Sequence, residues 1–347
     1  MRAALSLPVL LTALLAAQNS PYTIRVDVPL VTVDVMVSDA NGRPVTSLTR
    51  EDFSIFEDGT PQAIQSFASV DTPYSILLLI DRSQSMQPHW AWIEPALNRF
   101  VAQLKPQDRL SIGAFDERTK NVEVLLEWRE SRGSSGLQIP INPVIRSGNE
   151  YQSMTLAPGQ SARVRPPQKD FYAALEWASK RMMQIDSRKA VIVFTDGRQP
   201  GAPMRTENVS GRLQLRLRDP KDDGDFQDVL RMMQNGPASY YFVAVNTDLN
   251  PNDGYFTMDT ISGGMSVRLR LEQLATAAGG RVLFPRRLED TPKFYEQIGR
   301  DLGMAYTLSY SPTQSRSSTG VRRIEVRPRN AALHIQQSRD SYTFRSK

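Results

Sequence analysis

Two stretches constrain this chain more than anything else in it: "YSILLLID", Tyr74 to Asp81, and "KAVIVFTDG", Lys189 to Gly197. Each is an apolar run without polar alternation, about one strand long, and each stops on an acid. A strand that is apolar on both sides has to be covered on both sides, as in a parallel sheet and not in a half-wet antiparallel one. The intervening segments supply the covers. In "HWAWIEPALNRFVAQL", Trp92, Leu97, Phe100, Val101 and Leu104 recur at helical spacing, and "FYAALEWASKRMM", "DFQDVLRMMQN" and "LEQLATAAGG" read as further helices. "TPKFYEQIGRDLG" reads as a helix capped by Thr291 and closed by Gly303. With "DRLSIGAFD", "NVEVLLEW", "SYYFVAVN" and "RVLF" as strands, the alternation predicts an open, mostly parallel α/β sheet with helices on both faces.

The flanks follow a different pattern. "TIRVDVPLVTVDVMV" alternates with the period of two of a half-buried strand, and "FSIFEDGTPQ" places Asp58-Gly59 between two short runs as a β-hairpin turn. After Gly303, "AYTLSYSP", "GVRRIEVRP", "ALHIQQ" and "DSYTFRS" return to strands. Each flank alone is marginal for a core, and together they reach about the 100 residues of one β-sandwich. The expectation is an Ig-like sandwich made from both ends, with the α/β domain inserted; two separate small β modules are the alternative.

At the front, "MRAALSLPVLLTALLAAQ" has one positive charge ahead of an apolar run ending in small residues, the layout of a cleaved export signal. The thirteen residues Leu5 to Ala17 are fewer than the roughly 20 a membrane-spanning helix needs. The expected organisation is therefore 1–17 signal peptide, 18–72 first sandwich part, 73–302 α/β domain and 303–347 completing strands, in a secreted or periplasmic protein. Long loops are expected at 127–168 and 198–225, rich in Gly, Ser, Pro and charge, where partner selection is usually written.

Composition closes off several chemistries. With no cysteine there are no disulfides, thiol nucleophiles or zinc–thiolate sites, and two histidines, His89 and His334, do not assemble a histidine-centred triad. No Gly-x-Ser-x-Gly and no phosphate-binding glycine motif follows a strand. The net charge of +5 is concentrated near the end, where eight Lys and Arg follow Ser311. In "GVRRIEVRP" the charges alternate with apolar residues as on the wet face of a strand, so nucleic acid is not the expected partner.

In an open α/β sheet, ligands bind beyond the carboxyl ends of the strands. Asp81 and Asp196 stand there, and Ser83 and Ser85 add hydroxyls from the turn after Asp81. An all-oxygen donor set suits a hard cation, Mg²⁺ above all. Taken singly, the serines can cap the helix that follows and Asp196 can be a turn residue.

"DRSQS" after "ILLLI", with "VIVFTDG" about a hundred residues later, resembles the von Willebrand factor type A domain and its metal-ion-dependent adhesion site. The flanks, with "VTVDVMVSDANGRPVTSLTREDFSIFEDGTPQAIQSF", "YTLSYSP" and "SYTFRS", look like those of exported bacterial proteins related to it. The resemblance implies Asp81, Ser83, Ser85 and Asp196 as ligands of Mg²⁺, or of Mn²⁺ or Ca²⁺. It also implies a threonine where this chain has Lys169. An ammonium cannot ligate a cation and would compete with one, whereas Asp170, one residue on, can replace the missing oxygen.

The function implied is non-enzymatic: capture of an acidic group on a protein or extracellular ligand through the cation. Two other readings stay open, a metal-free scaffold for protein assembly and a Mg²⁺-dependent phosphoryl-transfer enzyme using Asp81, although Ser83 stands where such an enzyme would carry a second acid.

Overall fold

The computed structural model describes residues 30–83, 86, 89–116, 122–131, 170–197, 204–209, 212–217, 221, 223–245, 258–285, 290–313 and 320–344. The expected signal peptide lies outside these residues, as do most of the interval 127–168 and part of the interval 198–225. The chain begins with β1 (Val31–Ser38), β2 (Phe53–Glu57), β3 (Thr60–Gln62) and β4 (Ile64–Ala68). The α/β part runs β5 (Tyr74–Asp81), α1 (Trp90–Val101), β6 (Arg109–Phe115), β7 (Glu123–Glu130), α2 (Asp170–Met183) and β8 (Arg188–Thr195). It continues with β9 (Met204–Val209), β10 (Arg212–Leu217), α3 (Gly224–Gln234), β11 (Ser239–Ala244), α4 (Met258–Ala277), β12 (Arg281–Leu283) and α5 (Thr291–Met304). The closing strands are β13 (Ala305–Tyr310), β14 (Gly320–Pro328), β15 (His334–Gln337) and β16 (Ser341–Phe344).

Six strands form the central sheet in the order β12-β11-β8-β5-β6-β7. All pair in parallel except β7, which lies antiparallel to β6 at the edge. All eight residues of β5 are buried, because alternate side chains serve two different cores. Ile76, Leu78 and Ile80 face Leu97, Phe100, Ile298 and Leu302 of α1 and α5. Leu77 and Leu79 face Leu175, Phe226 and Leu274 of α2, α3 and α4. At about 1.5–3 kcal/mol for each large aliphatic side chain taken out of water, this double burial is what the two unbroken apolar runs supply. The chain leaves β5 towards β6 and β7 and returns on the other side as β8. The order therefore reverses between β5 and β8, and the crevice of such sheets opens beyond that point.

The flanks are hydrogen bonded into two further four-stranded antiparallel sheets, ordered β15-β1-β13-β4 and β16-β14-β2-β3. β1 lies between two strands from the far end of the chain, and β2 pairs with β14. One core, including Val33, Val35, Ile55, Tyr306, Leu308, Ile324 and Val326, is shared between the sheets. Asp58 and Gly59, with φ of 47° and 80°, make the β2–β3 hairpin turn read in the sequence. Glu57, fully buried, accepts hydrogen bonds from the Tyr310 and Tyr342 hydroxyls, both at 2.8 Å, and pairs with Arg322 at 2.5 Å. Arg322 thus belongs to the buried face of β14 with Ile324 and Val326, while Arg323, Glu325 and Arg327 form the wet face that the alternation suggested.

The two parts meet at the amino-terminal end of the central strands. Arg188, 3% exposed, donates to the carbonyls of Ser69, Val70 and Thr72 at 3.1, 3.4 and 3.2 Å and to the Tyr74 hydroxyl at 2.6 Å. It also donates to the Ala305 carbonyl and to Thr307 Oγ1. One guanidinium thereby holds both crossings between the sheets. Thr307 in turn donates to Asp34 Oδ1 at 2.6 Å, and Ser239 donates to Oδ2 of the same carboxylate.

Four boundaries differ from the sequence reading. Asp290, not Thr291, precedes the first turn of α5, because Pro292 takes a first-turn position where its missing N–H costs nothing. Gly303 does not end that helix, which runs to Met304 and passes directly into β13. The interval 198–225 is not all loop: β9 and β10 form an antiparallel ribbon, Arg205 pairing with Arg216. The first interval is shortened too, since β7 continues to Glu130.

Candidate functional site

Parallel pairing of β5 with β8 sets Ile80 level with Phe194, so Asp81 and Thr195 leave the sheet side by side and Asp196 follows. The two acids are each 2% exposed. Asp81 Oδ1 accepts the Ser83 N–H at 2.9 Å, and Oδ2 accepts the Thr195 hydroxyl at 2.6 Å. Thr195 Oγ1 itself accepts the Gly197 N–H at 2.9 Å, which closes the corner around Asp196. Gly197 has φ of 69°, and a Cβ there would stand 2.6 Å from Leu271 and 2.9 Å from Val267. The corner is accordingly seated against α4, and only glycine fits both the turn and the contact. After Asp81 the chain curls back, Met86 N–H donating to the Ser83 carbonyl at 2.9 Å while Met86 packs in the core under α1.

Arg82 is turned away from the acids, towards the sheet edge. Its guanidinium pairs with Glu123 at 2.8 Å and Asp116 at 3.4 Å, and its N–H donates to the Phe115 carbonyl. Burial first, and the charge of Asp196 second, push the Asp81 carboxyl up to about 7, against the opposing pull of its bonds to Ser83 and Thr195. His89, half-buried just ahead of α1, has its imidazole held below the usual range by burial, with the charge of Asp196 pulling it back up.

The structure thus brings together Asp81, Ser83 and Asp196. Asp170 opens α2, but its side chain lies outside the described residues, as do Ser85 and Lys169. Thr195 and His89 are the residues sequence reasoning missed. Thr195 was signalled by its place next to Asp196 at the end of the same strand, and His89 by its position just after the first turn.

Two buried carboxylates of like charge with hydroxyls beside them fit a hard, oxygen-seeking cation such as Mg²⁺. Among the described residues no group of three or more His, Asp or Glu is placed to hold a metal ion.

The raised Asp81 pKa carries a stability consequence with a definite sign. An unfolded aspartate titrates near 3.9, so the folded state of the metal-free protein binds this proton more tightly. The contribution is therefore most favourable below about pH 4 and is lost as pH rises through about 7. Asp81→Asn, of the same shape and uncharged, should melt higher than wild type at pH 8 in chelator and no higher at pH 4. Identical melting at pH 8 would contradict the cost of holding the Asp81 charge buried beside Asp196.

No family model matches the sequence, and no curated protein does. Among solved structures, a von Willebrand factor type A protein from Catenulispora acidiphila is 11% identical, over 84% of this chain and 72% of that one, at a TM-score of 0.42. The pilus adhesin SpaC from Lactobacillus rhamnosus GG is 10% identical over 84% of this chain, at a TM-score of 0.43, and this chain covers 47% of the adhesin. Manganese-loaded TRAP from Plasmodium vivax is 13% identical over 83% of this chain and 99% of that one, at a TM-score of 0.34. At these identities and TM-scores the three are what this chain is similar to and say nothing of its site or role. By its own strand order, its helices on both faces and its acids at the ends of β5 and β8, the chain has a von Willebrand factor A-like fold.

Proposed function

We propose that this is an exported, non-enzymatic binding protein that captures an acidic group of a protein or extracellular ligand at the crevice beyond β5 and β8. The observation that carries the reading is the pair Asp81 and Asp196, buried together at the reversal point of the sheet. Asp81, Ser83, Ser85 and Asp196 would hold the cation, with Asp170 replacing the oxygen that Lys169 cannot give. A bound Mg²⁺ or Mn²⁺ supplies a positive, oxygen-seeking centre that two carboxylates leave incompletely neutralised. Thr195 holds the Asp81 carboxylate in place, and the bond from Gly197 sets the corner that carries Asp196. The chain divides in this reading at residues 72 and 302, with the intervals 127–168 and 198–225 selecting the partner. No described helix is long and apolar enough to cross a membrane; export rests on the signal-like first 17 residues.

Millimolar Mg²⁺ or Mn²⁺ should raise the melting temperature of wild type by several degrees and leave Asp81→Ala and Asp196→Ala unmoved, since a ligand at 100 times its Kd adds about 2.7 kcal/mol. No shift in wild type, with no heat of binding by calorimetry, would overturn the cation reading in favour of a metal-free assembly scaffold.

A further inference from the structure

On the side of the sheet covered by α2, α3 and α4 lies a buried ionic cluster that none of the site reasoning uses. Arg270 of α4, 6% exposed, donates to Asp223 Oδ2 at 2.5 Å and to the Tyr172 hydroxyl at 2.8 Å. Its guanidinium also lies 5.0 Å from the centre of the Phe226 ring. Asp223 is 1% exposed, and its other oxygen accepts the Phe226 N–H at 3.2 Å, capping α3. A buried pair of this kind is poor evidence for stability as such, because desolvating both charges offsets most of their attraction. What it does supply is fixed geometry, since each group loses much when its partner moves away.

What that geometry fixes bears on the crevice. Tyr172 sits in the first turn of α2, two residues after Asp170. Asp223 stands at the end of the charged interval that begins just after Gly197. Arg270 falls between Val267 and Leu271, the two residues against which the Gly197 corner is seated. One guanidinium therefore joins the first turn of α2, the return of the second long interval and the helix that supports Asp196. Two of these segments adjoin a proposed ligand: the first turn of α2 carries Asp170, and α4 supports the Gly197 corner next to Asp196.

We infer that Arg270, Asp223 and Tyr172 form a positioning cluster for the cation site, holding the start of α2 and the Asp196 corner in the relative places that ligation requires. The inference rests on the cation reading above. Groups that orient ligands without touching the ion change metal affinity by about 10- to 100-fold when removed. Tyr172→Phe is the sharpest variant, because it deletes one hydroxyl and leaves the ring packed against Phe171 and Phe226. Tyr342→Phe, which deletes a hydroxyl from the Glu57 cluster in the β sheets, serves as the control for general loosening.

The test is Mn²⁺ binding to the full chain, by calorimetry and by the electron paramagnetic resonance of free Mn²⁺, well below the melting temperature of every variant. Tyr172→Phe and Arg270→Lys should weaken Mn²⁺ binding about 10- to 100-fold, while Tyr342→Phe binds as wild type does. Wild-type affinity in both cluster variants overturns the inference and leaves the cation reading standing. An equal loss in Tyr342→Phe also overturns it, by reducing the effect to general stability. Absence of Mn²⁺ binding in wild type removes the cation reading itself, and this inference with it.

Discussion

Replacing Arg188 with methionine is expected to cost about 4 kcal/mol and lower the melting temperature by roughly 10 °C, among the largest single-residue effects in the molecule. Methionine keeps much of the stem volume, so the loss comes from the head group. Without it, carbonyls of Ser69, Thr72 and Ala305 and the Tyr74 hydroxyl lose a charged donor in a place that water hardly reaches. The guanidinium also lies 3.9 Å from the centre of the Tyr74 ring, a cation–π contact that methionine does not replace. Arg188→Lys should recover only a fraction, because one ammonium cannot reach acceptors spread over both crossings. Scanning calorimetry checks this: alongside the lower melting temperature, the single transition should broaden or split as the β sheets and the α/β part lose their common anchor. A loss under about 1 kcal/mol would mean that water replaces the guanidinium, and the crossings are then not held as described.

Glu57→Ala should rank beside it, at about 3–5 kcal/mol, because it leaves the Arg322 cation buried without its partner. Urea denaturation measures the loss directly. The informative companion is Glu57→Leu with Arg322→Met, which replaces the ion pair by apolar groups of similar size and should regain most of the stability. If the double variant is as unstable as the single one, the cost lies in the tyrosine hydroxyls left behind and not in the stranded cation.

The cluster around Glu57 also illustrates where the sequence is legible. β5 and β8 could be read because burial on both faces leaves an unbroken apolar run, a purely local signal. The Asp58-Gly59 turn could be read because positive φ is a local demand. Arg322 could not: it sits among alternating charges, and only the approach of Glu57, 265 residues away, turns it inward. α4 starts at Met258, well before "LEQLATAAGG", and runs through Gly263 and Gly264, which helix propensity alone disfavours. Gly303 fails as a helix stop for a related reason, since β13 takes up the chain at once and no separate turn is needed.

At the site the same distinction applies. Asp81 and Asp196 were visible because each ends a buried strand. Thr195 matters only because the register sets it beside Asp81, and His89 only because α1 begins within reach of the charge on Asp196. Arg270, Asp223 and Tyr172 come from three separate segments, and nothing in any one of them marks the cluster.

The direct passage of α5 into β13 bears on the order in which the molecule can assemble. Thr32 and Ser309 are neighbours in adjacent strands, joined by a 3.0 Å hydroxyl contact across 277 residues of chain. Closing a flexible loop of that length costs about 5 kcal/mol in chain entropy before any contact returns it. Once the inserted domain is folded, however, β5 begins and α5 ends at the same guanidinium, and the ends that must meet already stand a few ångströms apart. The cheapest route therefore builds the inserted domain first and lets it serve as a short, stiff hairpin for the outer sheets, converting a slow long-range closure into a local one.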